Sequence, residues 1–303
     1  MAHRMAVTVT DRAIAESPTR TLIRPPRVRE IALLLLLVVL GPRPAISAEL
    51  KPETVAAFER YVEITAARIE AELTGPGPFL LLDRRSDFDR HAILKTIQGG
   101  AVFIQPLETR APNGAEISIP DGMVHHWYGA VFIPGPTLDQ VLELVQDYDR
   151  HHRIYPEVVD SRLIERDGDR FKIYLRLVKN KVITVTLDTE HDVSYRRVDA
   201  RRAHSRSNST RIAEVENADQ PGEREKPIGQ DGGFLWRLVS FWRFEERGGG
   251  VYEESESISL TRGIPFALGW LIRPFVTGIP KESLESALGA TREEILRGPG
   301  PRE

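Results

Sequence analysis

The chain has 303 residues, of which 41% are hydrophobic and 28% charged, and a formal net charge of −3. That balance belongs to an ordinary globular protein with material for one large domain or two small ones, and it is unlike a disordered or fibrous chain. There is no cysteine, which excludes disulfides, thiolate nucleophiles, iron–sulfur clusters and cysteine zinc sites, and mild acidity without a basic patch argues against a nucleic-acid partner.

In chain order, Arg20, Arg24, Arg27 and Arg29 precede an apolar run at 31–40, which is followed by Gly41-Pro42 and a small-residue end at Ser47-Ala48. This is the layout of a signal peptide, and the run is too short for a membrane-spanning helix, which needs about 20 residues. Residues 1–48 are therefore expected to direct the chain to the periplasm or outside the cell, with a retained N-terminal anchor as the competing reading. Cleavage after Ala48 removes seven Arg and three acidic residues and takes the net charge to about −7.

Residues 49–122 form an N-terminal extension. Pro52 suits a first helical turn, and Val55, Phe58, Val62, Ile69 and Leu73 recur at helical spacing up to Thr74-Gly75-Pro76-Gly77. A second helix is predicted from a Ser86 cap to Gln98, ended by Gly99-Gly100. Two short strands, AVFIQPLET and AEISI, are predicted between 101 and 119. The apolar face of this extension is too small to fold alone, so it is expected to pack on the main domain.

The main domain, 123–297, opens with a strand over 123–133, after which Thr137 and Gln140 match a capping box at the start of a helix striped by Leu138, Val141, Leu142 and Val145. A short helix follows and breaks at Pro156. Strands are predicted at 158–165, 171–179, 182–195 and 200–215, then a long polar loop at 216–233, then strands at 234–246 and 251–261. Alternation puts Phe171 and Leu175 on one face of the third strand, Val185 on one face of the fourth, and Phe234, Trp236, Leu238, Trp242 and Phe244 on one face of the sixth. The bland reading of any one of these strands is a filled core. The fifth strand is polar on both faces: His204, Arg206, Asn208 and Thr210 alternate with Ser205, Ser207 and Ser209. Either the hydroxyls or the His-Arg-Asn set look inward, with Glu254 and Glu256 as candidate partners, or the strand is a wet sheet edge. In the tail, Pro274 and Gly278-Ile279-Pro280 predict two helical pieces, 265–273 and 281–297. The first, which carries Trp270, is apolar nearly all round and can be buried or can act as a lid that touches a membrane transiently. Residues 298–303 are expected to be a disordered tail.

The stretch from "HHWYGAVFIPG" through "TLDQVLELVQDYDRHHRIYPEVVDSRLIERDGDRFKIYLRL" to "FLWRLVSFWRFEERGGGVYEESESISL" and "IPFALGWLIRPFVTGIPKESLESALGATREEI" resembles the START-like superfamily, also called SRPBCC or birch-pollen-allergen-like, and in particular an exported, uncharacterised bacterial group. The resemblance covers residues 124–297. It implies an α+β helix-grip fold, in which a seven-stranded curved antiparallel sheet wraps around a C-terminal helix and leaves an apolar cavity used by relatives for lipids, sterols, polyketides, quinones or plant hormones. Some relatives are polyketide cyclases or oxygenases, but this chain shows no His-His-carboxylate set at an iron site. His125-His126 on a strand point to opposite faces, and no HExxH-like spacing, phosphate loop or nucleophile elbow appears. No metal, cofactor or catalytic residue is assigned.

The expected function is binding or carriage of an apolar or amphipathic, lipid-like molecule. Phe171, Leu175, Val185, Trp236, Trp242, Phe244 and Trp270 would form its apolar surroundings, and His204 or Arg206 would meet its polar end. The alternatives are a cyclase- or hydrolase-like enzyme in the same cavity, with His191 or His204 as acid or base, and a cell-envelope protein-interaction module with a filled core.

Overall fold

The protein is described by a computed structural model over residues 48–181, 183–263 and 269–298. The expected leader at 1–47, the side chains of the expected lid at 264–277, Trp270 among them, and the tail at 299–303 lie outside these residues.

The extension begins with β1 (Ala48–Glu49) and α1 (Pro52–Thr74), whose Thr54, Phe58, Tyr61, Val62, Thr65 and Ile69 are buried at helical spacing. Pro52 occupies the first turn, where a missing N–H costs nothing. The second helix, α2 (Asp87–Gln98), starts at Ser86, which accepts a hydrogen bond from the Asp89 N–H, and stops at Gly99 and Gly100, the latter at φ 92°. Of the two predicted strands only β2 (Phe103–Pro106) forms, whereas AEISI makes a single bridge, Arg110 to Glu116.

The main domain contributes β3 (Gly122–Pro134), α3 (Leu138–Gln146), α4 (His151–Ile154), β4 (Val158–Asp167), β5 (Arg170–Asn180), β6 (Thr184–Arg197) and β7 (Arg202–Glu216). The capping box at α3 is present as the sequence predicts, with the Thr137 hydroxyl accepting from the Gln140 N–H and the Gln140 side chain accepting from the Thr137 N–H. The segment expected to be a long loop holds β8 (Arg224–Glu225) and β9 (Gln230–Asp231), and the chain closes with β10 (Arg237–Arg247), β11 (Gly250–Arg262) and α5 (Gly269–Arg297).

One sheet runs in the order β2-β3-β11-β10-β7-β6-β5-β4, with β8 on β7, and all its pairings are antiparallel. The first long strand pairs with the last, and the rest follow in reverse chain order. The expected seven strands are its long members; β2 from the extension and β8 raise the number to nine. β1 pairs with β9, so the chain just before α1 is tied to the segment after β7.

The inner face takes α5. Leu284 and Leu288 join Val131, Ile133, Val251 and Phe244 in a cluster completed by α3. Gly129 permits that approach, since a Cβ there would meet Leu288 Cδ1 at 2.5 Å and Ile104 Cδ1 at 2.8 Å. α5 corrects the expectation of two helical pieces, because it is continuous through Pro274 and Pro280. Each proline removes one backbone hydrogen bond. After Pro280 the helix is secured by Leu284 and Leu288 and by polar links from Ser283 to Glu157 and from Glu282 to Lys181.

The outer face takes the extension. Phe58, Tyr61, Val62 and Ile69 of α1 pack on Val239, Phe241, Ile258 and Leu260, while Phe79, Leu80, Leu82, Ile93 and Ile97 pack on Tyr128, Ala130 and Tyr252. The sheet is therefore covered on both sides over β3, β11 and β10. Among the described residues, no helix is long and apolar enough to cross a membrane.

Candidate functional site on the inner face of the sheet

Register fixes which side chains share the inner face, because directly paired residues of neighbouring strands point the same way. One row reads Val131, Glu253, Phe244, Ala203; the next reads Gly129, Ser255, Trp242, Ser205, Tyr195; the third reads Trp127, Ser257, Ser240, Ser207, Val193, Phe171. β5 extends the apolar wall through Ile173, Leu175 and Leu177, whose partners on β6 are His191, Thr189 and Leu187.

Across the middle runs a patch of hydroxyls on three adjacent strands: Ser255, Ser257 and Ser259 on β11, Ser240 on β10, and Ser205, Ser207 and Ser209 on β7. The two-sided polarity of β7 resolves in favour of the serines. Its inward residues are the hydroxyls, whereas His204 and Arg206 lie on the outer face. There Arg196 Nε donates to His204 Nε2 at 2.6 Å, and the Arg206 guanidinium sits 5.3 Å over the Phe241 ring and donates to Asn208.

The remaining predicted residues divide as follows. Phe171, Leu175, Val185, Trp242 and Phe244 are on the inner face, with the Trp242 and Phe244 rings stacked at 6.5 Å and 11°. Trp236 is separated from them. It precedes β10, is buried in the α1 cluster, and donates from Nε1 to Asp231 at 3.0 Å. Glu254 and Glu256 do not meet His204 or Arg206 either. Glu254 accepts from the Tyr128 hydroxyl at 2.6 Å and from the Leu81 and Leu82 N–H groups, and Glu256 meets Arg68, Arg243 and His126. Burial would raise Glu256, but the His126 ring, 3.3 Å away, and the Arg68 charge outweigh it and hold the carboxyl at about 2. These outward carboxylates fasten the extension to the sheet.

Glu253, one residue earlier, has no such partner among the described residues. It is 1% exposed, its in-sheet neighbours are Val131 and Phe244, and its Oε2 makes no hydrogen bond among the described residues. Burial alone pushes its carboxyl up to about 8, so it carries its proton at neutral pH. Once ionised, above about 8, Glu253 also acts on two tyrosines. Burial first and that charge second push Tyr155 upward, and burial pushes Tyr195 up to about 12. Tyr155 shares a hydrogen bond with Thr291 of α5 at 3.2 Å, and Tyr195 shares one with Tyr148 at 3.2 Å. The inner histidines are neutral as well: His125 and His191 are each lowered to about 4 by burial, and they bond Thr261 and Thr189 at 3.0 Å. Ser255 Oγ and Ser259 Oγ are buried without partners among the described residues. The Trp242 indole donates to Ser240 at 3.0 Å.

Sequence reasoning missed Glu253 and the β11 serines, because "YEESESIS" alternates polar residues with a mixture of Glu and Ile and shows no clean face. The signal was present in the even positions Tyr252, Ile258 and Leu260, which share a face and force Glu253, Ser255 and Ser257 onto the other. Among the described residues, no three acids or histidines converge as metal ligands. A separate surface groove of ≈ 380 Å³ lies among Leu50, Pro52, Val55, Ile228 and Arg237, away from the inner face.

Fold and site together define a helix-grip α+β protein whose gripped surface is apolar at its margins and uncharged and hydroxyl-rich at its centre. No family profile matches the sequence, and no curated protein matches it. Similar solved structures include the STAR-related lipid transfer protein of Xanthomonas axonopodis (15% identity, 64% of this chain and 98% of that one, TM-score 0.42). A START superfamily protein from Mycobacterium smegmatis (11%, 57% and 97%, 0.39) and the human StarD13 lipid transfer and protein localization domain (10%, 69% and 96%, 0.38) are further examples.

Proposed function

We propose that the protein binds a small apolar or amphipathic molecule between the inner face of the sheet and the C-terminal helix. The observation that carries this reading is that Trp127, Leu175, Leu177, Leu238 and Trp242 remain only half-buried on that face, although the outer face is covered by the extension. Partly exposed apolar side chains around a hydroxyl patch offer surface to a ligand. Covering about 200 Å² of it would contribute roughly 5 kcal/mol before the cost of immobilising the ligand. The expected leader supports export, so that binding would take place in the periplasm or beyond the cell.

Native mass spectrometry of the chain purified from a bacterial periplasm, followed by organic extraction, tests the proposal. A stoichiometric lipid-like adduct is expected. Trp242→Ala should weaken it at least tenfold, while Trp236→Ala, in the outer cluster, should leave it in place. A clean apoprotein that also refuses a panel of lipids and quinones would leave the protein-interaction module as the better reading.

A further inference from the structure

The inner face discriminates by charge as well as by polarity. Strand β11 carries three acids within four positions, and the two that point outward are each met: Glu254 by a tyrosine hydroxyl and two backbone N–H groups, Glu256 by arginines and a histidine. Even the Glu256 oxygen that lacks a hydrogen bond has Arg243 at 3.7 Å. Glu253 points the other way, with Val131 and Phe244 beside it, and Tyr155, Tyr195 and Thr291 supply the polar groups on that side. Its unpartnered oxygen, with the unpartnered hydroxyls of Ser255 and Ser259, makes three buried polar groups on one side of one strand. Buried groups of this kind are ordinarily satisfied. Among the described residues, cations at the rim of this face are engaged: Arg166 stacks on Phe171 at 4.8 Å, Arg197 pairs with Asp139 and Lys179 pairs with Glu157.

We infer that the molecule held on the inner face is an uncharged, oxygen-bearing amphipath, whose hydroxyl or carbonyl oxygen accepts from the Glu253 carboxyl and meets Ser255 and the serine patch, and that fatty acids and other anionic lipids are rejected. The inference rests on the ligand-binding reading above and adds the chemical class of its ligand. An anionic head would be placed against a carboxyl with no cation beside it among the described residues; a neutral oxygen completes the carboxyl's own hydrogen bond. Tyr155 and Tyr195, the titratable groups that feel Glu253, and His151, which packs on Tyr155, are neutral between pH 6 and 9, because burial raises both tyrosines and lowers His151 to about 4. Loss of the Glu253 proton is then the event that should end binding of a neutral ligand.

Isothermal titration of the whole chain with dodecanol, methyl dodecanoate and dodecanoate decides the matter. At pH 7 the two neutral probes should bind and dodecanoate should bind at least tenfold more weakly. Between pH 7 and 9.5 the affinity for dodecanol should fall at least tenfold. Glu253→Leu, which fills the site with an apolar side chain of similar size, should lower dodecanol affinity about tenfold at pH 7 and shrink the dodecanol-to-dodecanoate ratio below threefold. Equal binding of dodecanol and dodecanoate by the unmodified chain would overturn the inference and leave the binding proposal standing, as would an unchanged ratio in a folded Glu253→Leu variant. Failure of all three probes to bind would overturn the binding proposal and the inference with it.

Discussion

Replacing Glu253 by Gln removes an ionisation while keeping the shape of the side chain, and its effect on stability should depend on pH in a way that the buried carboxyl dictates. In the folded chain the carboxyl holds its proton up to about 8, whereas once unfolded it releases it near its ordinary 4.5. Between those values the folded state binds more protons than the unfolded one, so stability falls as pH rises, by up to about 1.4 kcal/mol for each pH unit. At 1% exposure there is little solvent screening to reduce this. Across the window the loss is about 3 to 5 kcal/mol, a sizeable part of a typical total stability of roughly 5–15 kcal/mol. Gln does not ionise, so Glu253→Gln should be close to neutral near pH 4.5 and should become stabilising relative to the parent by that amount near pH 8. Every other titrating group cancels in the difference. Urea unfolding of both delipidated proteins at half-unit pH steps from 4.5 to 9 measures it directly. A difference that stays within about 1 kcal/mol across the whole range would refute the placement of an unpartnered carboxyl at this position.

Two further substitutions test the surfaces that meet the two faces of the sheet. Gly129→Val would drive its side chain into Leu288 and Ile104, and should cost about 1–3 kcal/mol and loosen α5, seen as faster amide exchange over 281–297; unchanged exchange would mean that α5 does not rest on β3. Arg243→Ala would take from the buried Glu72 and Glu256 one of the two arginines they share, the other being Arg68, and remove the donor to the Phe79 carbonyl, a loss of about 1–3 kcal/mol by chemical denaturation. Protease cleavage within 75–86 should accelerate with it, and a loss below about 1 kcal/mol would show that this cluster does not fasten the extension.

The long elements were legible because their signals are local. Thr137 and Gln140 form a capping box four residues long, and Ser86 with Gly99 brackets α2. The seven long strands lie within a few residues of their predicted bounds, since alternation and the turn glycines are properties of adjacent residues. What failed depended on distant contacts. AEISI has strand composition, yet no neighbouring strand offers it an edge beyond the bridge to Arg110. Pro280 reads as a helix end, but it is overridden because Leu284 and Leu288 anchor the chain beyond it to β3. Trp236 continues the alternation of β10 on paper, but the strand begins only at Arg237 and the indole turns to Asp231 and α1.

The candidate site was legible in its apolar half alone, and the reason lies in the outer face. A sheet with one wet side would need outward polar residues, and His204, Arg206, Glu254 and Glu256 could then be assigned to either side by sequence. Here the outer face is itself buried under α1 and α2, so its charges had to be paired: Arg68 and Glu72 from α1 supply the partners for Glu256 and Arg243. That arrangement commits the long charged side chains outward. It leaves the central inward positions of the same strands to serines, to Trp242 and Phe244, and to one protonated carboxyl. The extension thus shapes the inner face from behind: by collecting the charge of β7, β10 and β11 on its own side, it leaves a central inner patch that is polar without being charged. A protein lacking residues 49–122 would expose Phe241, Ile258, Leu260 and the Glu256 cluster together, and for that reason the gripped surface and the extension should unfold in a single transition.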